Sequence, residues 1–174
     1  MPETDSGTAL HDAAYELLRE ALARDFGLRQ ADILKTDLGA PYLAGENMPH
    51  ISVSHTQGLV CCAVGEYPVG VDCEPAGRFA ARPLQEALLH RVCTEAEAQR
   101  VLQSVDPREE FLKCWVLKES ISKAEGKGFA GGFRKYGIDF ENTTPRCGEY
   151  ALQLCRWGGW FIAAAEKIQA AEKP

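Results

Sequence analysis

Leu10, Ala14, Leu17, Leu18, Ala21, Leu22 and Phe26 recur every three or four positions. That spacing predicts a helix over residues 10–26, with Thr8 as a cap and Gly27 as its stop. Between Asp37 and Pro49 the pattern breaks at Gly39, Pro41, Gly45, Asn47 and Pro49, which reads as loop. Ile51-Ser52-Val53-Ser54 alternates, and short apolar runs follow at 59–64 and 69–71, so three antiparallel strands are expected. Two short helices are predicted at 83–92 and 95–103, the second capped by Thr94 with Glu97 three residues on. Asp106 as cap, Pro107 in the first turn, Glu109 with Glu110 and a glycine at 126 frame a helix of about five turns. Strands are predicted at 136–140, 150–154 and 160–164, with turns at Thr143-Thr144-Pro145 and Gly158-Gly159. Strands and helices in separate blocks give an α+β class. The order of helix and three strands, then helices and about three strands, suggests two lobes of similar build.

Composition narrows this. A chain of 174 residues that is 45% hydrophobic can bury the core of one domain or of two small lobes. No apolar run approaches membrane-spanning length, and Met1-Pro2-Glu3-Thr4-Asp5 is polar where a signal peptide would be basic and then apolar, so a soluble, cytoplasmic protein with no membrane partner is expected. The seven cysteines include no C-x-x-C pair, which argues against a zinc grip and for small buried thiols in a reducing compartment. A net charge of -6 argues against nucleic acid as a partner. Residues 108–135 reverse that sign locally, with seven basic residues against four acids, a balance of +3 that leaves -9 elsewhere. A local field of that kind suits an anionic ligand, and it equally describes a solvated helix face.

Three groups of residues carry candidate chemistry. Asp72 and Glu74 stand two apart at the end of a predicted strand and face the same way. Paired carboxylates invite a hard cation such as magnesium, although a surface acid pair explains the pattern as well. On the long helix Phe111, Trp115, Glu119 and Lys123 form one stripe at i, i+4, i+8 and i+12, which brings two charges to the edge of a buried surface; an exposed Glu–Lys pair is the plainer account. Ser54 and His55 end another strand with a hydroxyl and an imidazole suited to phosphate, or to local backbone bonding. Together, one helix carboxylate and two strand carboxylates give a three-oxygen magnesium site with positions open to phosphate.

Gly70-Val71-Asp72-Cys73-Glu74, followed after 40-odd residues by the run Trp115 to Gly126 with Lys118-Glu119-Ser120 inside it, closely resembles the paired signature of the 4′-phosphopantetheinyl transferases. Ile51 to Thr56 is similar to the S-x-S-H-S strand of the larger, surfactin-synthetase-activating branch, and Gly126-Lys127-Gly128 to its glycine turn. The resemblance runs from about Leu10 to about Ala165. It implies the transferase fold of two similar lobes, each a small antiparallel sheet packed on helix, divided as 1–67 (a truncated first lobe) and 68–174. It also implies an enzyme that moves the 4′-phosphopantetheine arm of coenzyme A to a serine of an acyl or peptidyl carrier protein and releases adenosine 3′,5′-bisphosphate. In that scheme Asp72, Glu74 and Glu119 hold Mg²⁺, and Glu119 is the base for the carrier serine. Lys123 then stabilises the leaving diphosphate with Lys118 near the phosphates, while Ser54 and His55 contact the nucleotide phosphates.

The chain also departs from the branch. Almost nothing precedes the first helix, where relatives carry further strands with basic residues. Gly39-Ala40-Pro41 replaces G-K-P, and Val116 stands where a small residue is preferred. Weaker coenzyme A binding than in a full-length relative is expected, or replacement of the lost contacts by Arg19, Arg24, Arg29 or Lys35. A non-catalytic coenzyme A or carrier-protein binder and an unrelated magnesium phosphohydrolase are the competing readings. A complete metal site disfavours the first of these, and the absence of a clearer water-activating group disfavours the second.

Overall fold

A computed structural model describes residues 6–81, 83–128, 132–140 and 144–169 of the chain. Helix α1 (Ser6–Asp25) opens it, with Ala14, Leu18 and Leu22 wholly buried on one face. That face lies on a hairpin of β3 (His50–Thr56) and β4 (Leu59–Gly65), where Ile51 completes a small core with Leu43. Thr8 falls inside the first turns of α1 rather than before them.

The stretch read as loop contains a strand. β1 (Ile33–Lys35) and β2 (Pro41–Leu43) pair antiparallel across a turn at which Gly39 takes φ 83°, a conformation that costs glycine nothing. Thr36 closes that turn, donating from its backbone to Ala40 O and accepting from Gly39 N.

β5 (Val69–Pro75) does not join the hairpin as a third strand. It pairs with β8 (Trp160–Lys167) in a four-stranded antiparallel sheet of order β5-β8-β7-β6, in which β7 spans Tyr150–Trp157 and β6 is Arg146–Cys147. β3 nevertheless runs beside β5, because Ser52 Oγ accepts from Val71 N and Ser54 Oγ from Cys73 N. Two hydroxyls occupy backbone donors that a continuous sheet would have paired with carbonyls.

The second core lies between this sheet and α4 (Pro107–Glu125). Asp106 caps α4 by accepting from Arg108 N and Glu109 N, and Gly126 ends it at φ 66°. Phe111, Leu112, Val116, Leu117 and Ile121 of α4 are fully buried against Leu152, Phe161, Ala163 and Ala165. α4 and β5 touch at Gly70, where a methyl group would overlap the Ser120 carbonyl oxygen and lie 2.5 Å from Ala124 N.

α3 (Glu95–Gln103) starts with the Thr94 capping box, Glu97 returning its carboxylate to Thr94 N. α2 is shorter than expected, Glu86–Val92, with residues 83–85 outside it. The strand expected at 136–140 reduces to one bridge, Asp139 with Arg146, after a short 3₁₀ turn at Phe133–Lys135. Ile138 N there donates to the buried Glu97 Oε1 instead of to a neighbouring strand. Thr143 of the expected 143–145 turn lies outside the described residues. All seven cysteines are free thiols, but only Cys73, Cys93 and Cys114 are fully buried, and Cys155 is exposed. No helix among the described residues is long and apolar enough to cross a membrane.

Candidate active site

β5 and α4 face each other at a cavity of about 960 Å³, whose lining runs from their carboxylates to α1 and the β1–β2 ribbon. Asp72, Glu74, Glu119 and Lys123 line it, and so do His11, Lys35 and His55.

Among the carboxylates, Lys123 Nζ donates to Asp72 Oδ1 at 2.8 Å and to Ser54 Oγ at 2.9 Å. Ser54 Oγ in turn donates to the same Asp72 oxygen at 3.0 Å. The hydroxyl is thus bound into a triangle with Asp72 and Lys123, while His55, next along β3, is exposed at the cavity wall. Asp72 is 5% exposed, and its Oδ2 is buried with no hydrogen bond among the described residues. Glu119 feels both this burial and Asp72. Desolvation chiefly, then the neighbouring negative charge, push its carboxyl up to about 7 against the opposing pull of Lys123 and Arg78. Glu74 is ion-paired to Arg78.

These features bear on a hard divalent cation. A buried carboxylate oxygen without a partner, a second carboxylate held near neutrality and a third within the same cavity are a donor set that a small oxygen-seeking cation fits. Among the described residues no three such groups converge as a cluster, and Lys123 and Arg78 are paired to Asp72 and Glu74.

Lys118 is not at the cavity. It is 0% exposed on the opposite side of α4, with Nζ donating to Glu97 Oε2 at 2.5 Å and to Val92 O at 2.8 Å. Its expected phosphate contact gives way to a buried ion pair that ties α3 to α4. The local positive charge of 108–135 is similarly consumed: Lys113 pairs with Glu109 and Glu110, and Lys135 with Glu125, leaving Lys123 as the member of that group that reaches the cavity from α4.

His11 and Lys35, which no motif marked, meet at the same cavity near His55. Lys35 Nζ donates to His11 Nε2 at 3.2 Å and lies 5.4 Å from the Tyr15 ring centre. His11 stacks on Tyr15 at 4.5 Å and meets the His55 ring edge-on at 6.4 Å. Of the four basic residues considered as replacements in the first half, Lys35 alone lines this cavity. Arg24 is turned to Asp25 on the surface, and Arg19 and Arg29 are exposed elsewhere.

The family model of the 4′-phosphopantetheinyl transferase superfamily matches residues 68–168. The chain is 28% identical over 142 residues to 4′-phosphopantetheinyl transferase gsp of Aneurinibacillus migulanus, covering 76% of this chain and 56% of that protein. It is 28% identical over 128 residues to 4′-phosphopantetheinyl transferase Sfp of Bacillus subtilis (strain 168), covering 68% and 55% respectively. The chain thus spans about half the length of the curated relatives it matches. The crystal structure of holo-[acyl-carrier-protein] synthase from Neisseria meningitidis is similar in fold, with TM-score 0.52 at 21% identity, over 59% of this chain and 98% of that one.

Proposed function

The chain belongs to the 4′-phosphopantetheinyl transferase superfamily, and on that premise we propose that it transfers the 4′-phosphopantetheine arm of coenzyme A to a serine hydroxyl of an apo acyl or peptidyl carrier protein. The observation that carries the reading is one cavity lined both by Asp72, Glu74, Glu119 and Lys123 and by the contact group of His11, Lys35 and His55. A ligand with a diphosphate and a further phosphate suits two such groups, and coenzyme A has this form.

Asp72, Glu74 and Glu119 would hold Mg²⁺, which when bound neutralises charge on the diphosphate and orients the phosphoryl group. The remaining work falls to side chains. The carrier serine oxygen forms the new bond to phosphorus as the bond to the adenosine 3′,5′-bisphosphate oxygen breaks. Glu119 takes the serine proton. Lys123 exchanges Asp72 for the leaving diphosphate oxygen and meets the charge that develops there. His55, exposed on the wall, contacts nucleotide phosphate, and Lys35 with His11 takes the outlying one. Ser54 acts by orienting Asp72 and Lys123. The division into lobes 1–67 and 68–174 belongs to the same reading, with the cavity spanning residues of both.

Incubation with an apo carrier protein, coenzyme A and Mg²⁺ tests the reading, with the carrier weighed by mass spectrometry. The carrier gains the mass of phosphopantetheine with wild-type protein and not with Glu119→Gln of unchanged circular dichroism. If several apo carriers gain no mass, the transferase reading fails.

A further inference from the structure

Arg78 plays no part in the scheme above, yet among the described residues it and Lys123 are the cations paired to Glu74 and Asp72. It follows β5 in the turn at 76–81, four residues after Glu74, and its guanidinium pairs with the Glu74 carboxylate. The same guanidinium lies 4.9 Å from the Trp115 ring centre and 5.6 Å from that of Phe79. These rings belong to a packed wall: Phe79 meets Trp115 at 5.9 Å and Phe111 at 5.0 Å, and Trp115 meets Phe133 at 5.3 Å. Aromatic faces therefore hold the guanidinium in place independently of Glu74.

The two cations treat their carboxylates differently. Lys123 bonds Asp72 Oδ1 and leaves Oδ2 without a hydrogen bond among the described residues. Arg78 stands on Glu74 itself, and a guanidinium keeps its charge at any pH the protein meets.

We propose that Arg78 competes with the divalent cation for Glu74 and so sets the affinity of the metal site. This rests on Asp72, Glu74 and Glu119 being that site. Binding of the cation exchanges one positive partner of Glu74 for another, and the displaced guanidinium, held over Trp115, still repels the cation. Both effects weaken metal binding relative to a site without Arg78. The pair is partly solvated, with Arg78 36% and Glu74 16% exposed in their side chains. The expected effect is therefore modest, about five-fold.

Titration of the full chain with Mn²⁺, without coenzyme A or carrier, reads this directly, with free Mn²⁺ followed by its electron paramagnetic resonance. Arg78→Met binds Mn²⁺ about five-fold more tightly than wild type, and Arg78→Lys, which keeps the charge, stays close to wild type. Arg78→Gln is a second neutral variant, so the comparison survives if the methionine protein does not fold. Adding Glu74→Gln to either neutral variant removes the gain. Equal or weaker Mn²⁺ binding in both neutral variants overturns the competition. Mn²⁺ binding by Glu74→Gln alone as tight as wild type overturns the metal-site assignment, and the role of Arg78 with it.

Discussion

Glu119 is asked to be a metal ligand and a base, and both demand a carboxylate that its surroundings resist. Burial and Asp72 raise it from 4.5 to about 7 in the folded, metal-free chain. Between those values the folded state holds more protons than the unfolded one. The stability contributed by this group is therefore full below about pH 4.5 and is lost as pH rises through about 7. A bound cation needs the charged form, so metal affinity rises through the same window. Melting curves in chelator from pH 5 to 8 check the sign: the wild-type Tm falls relative to that of Glu119→Gln as pH increases. A difference between the two that does not change with pH means that Glu119 does not titrate in this range. The spacing of Trp115, Glu119 and Lys123 placed this residue correctly at the end of an aromatic stripe. The same helical period also carried the signal against Lys118, since neighbouring residues on a helix lie about 100° apart. A lysine beside Glu119 in sequence is turned away from it in space. Arg78 had no such signal, because its i,i+4 relation to Glu74 crosses the end of a strand, where that spacing predicts nothing.

Among the elements, α4 was the most legible, for its cap, its first-turn proline and acids, and its terminal glycine each act within a few residues. The partner of β5 was not legible. Alternation says which way side chains point and says nothing of which strand supplies the hydrogen bonds, and here Ser52 and Ser54 substitute hydroxyls for a strand edge. The strand expected at 136–140 was lost for a related reason, since the buried Glu97 carboxylate takes the Ile138 N–H that a ladder would have used. Gly70 is where β5 and α4 set the spacing of the site. It lies two residues before Asp72 on the strand and packs at Ser120 and Ala124, on either side of Lys123 and just past Glu119. In Gly70→Ala the new methyl meets backbone atoms, which cannot turn aside as a side chain can, so α4 must move off the strand. A loss of about 1–3 kcal/mol in urea unfolding is expected, with phosphopantetheine transfer falling by at least about ten-fold because Glu119 and Lys123 shift against Asp72. Wild-type stability and turnover in this variant mean that the close approach does not govern the site.

At the scale of the molecule, the cavity joins parts of the chain that sequence treats as separate: α1 and the β1–β2 ribbon with β5 and α4. Only the β2 half of the ribbon falls in the stretch 37–49 that reads as loop, and no pattern marks the β1 residues, so Lys35 stands in the sequence only as one of four candidates; pairing with β2 fixes its strand, and α1 brings His11 within 3.2 Å of its ammonium. Nothing in the spacing of His11, Lys35 and His55, scattered over 45 residues, announces that they meet. If this group takes the outlying phosphate of coenzyme A, binding should discriminate among the four candidates. Lys35→Ala weakens coenzyme A by about ten-fold in isothermal titration, the scale of one lost charge-assisted hydrogen bond. Arg24→Ala leaves it unchanged, because Arg24 is committed to Asp25 on the surface and lines a different cavity. Dephosphorylated coenzyme A, lacking the outlying phosphate, binds wild type and Lys35→Ala equally, since the missing group and the missing charge belong to the same contact. A Lys35→Ala protein that loses affinity for both ligands alike would place the outlying phosphate elsewhere in the cavity and leave Lys35 a structural partner of His11 and Tyr15.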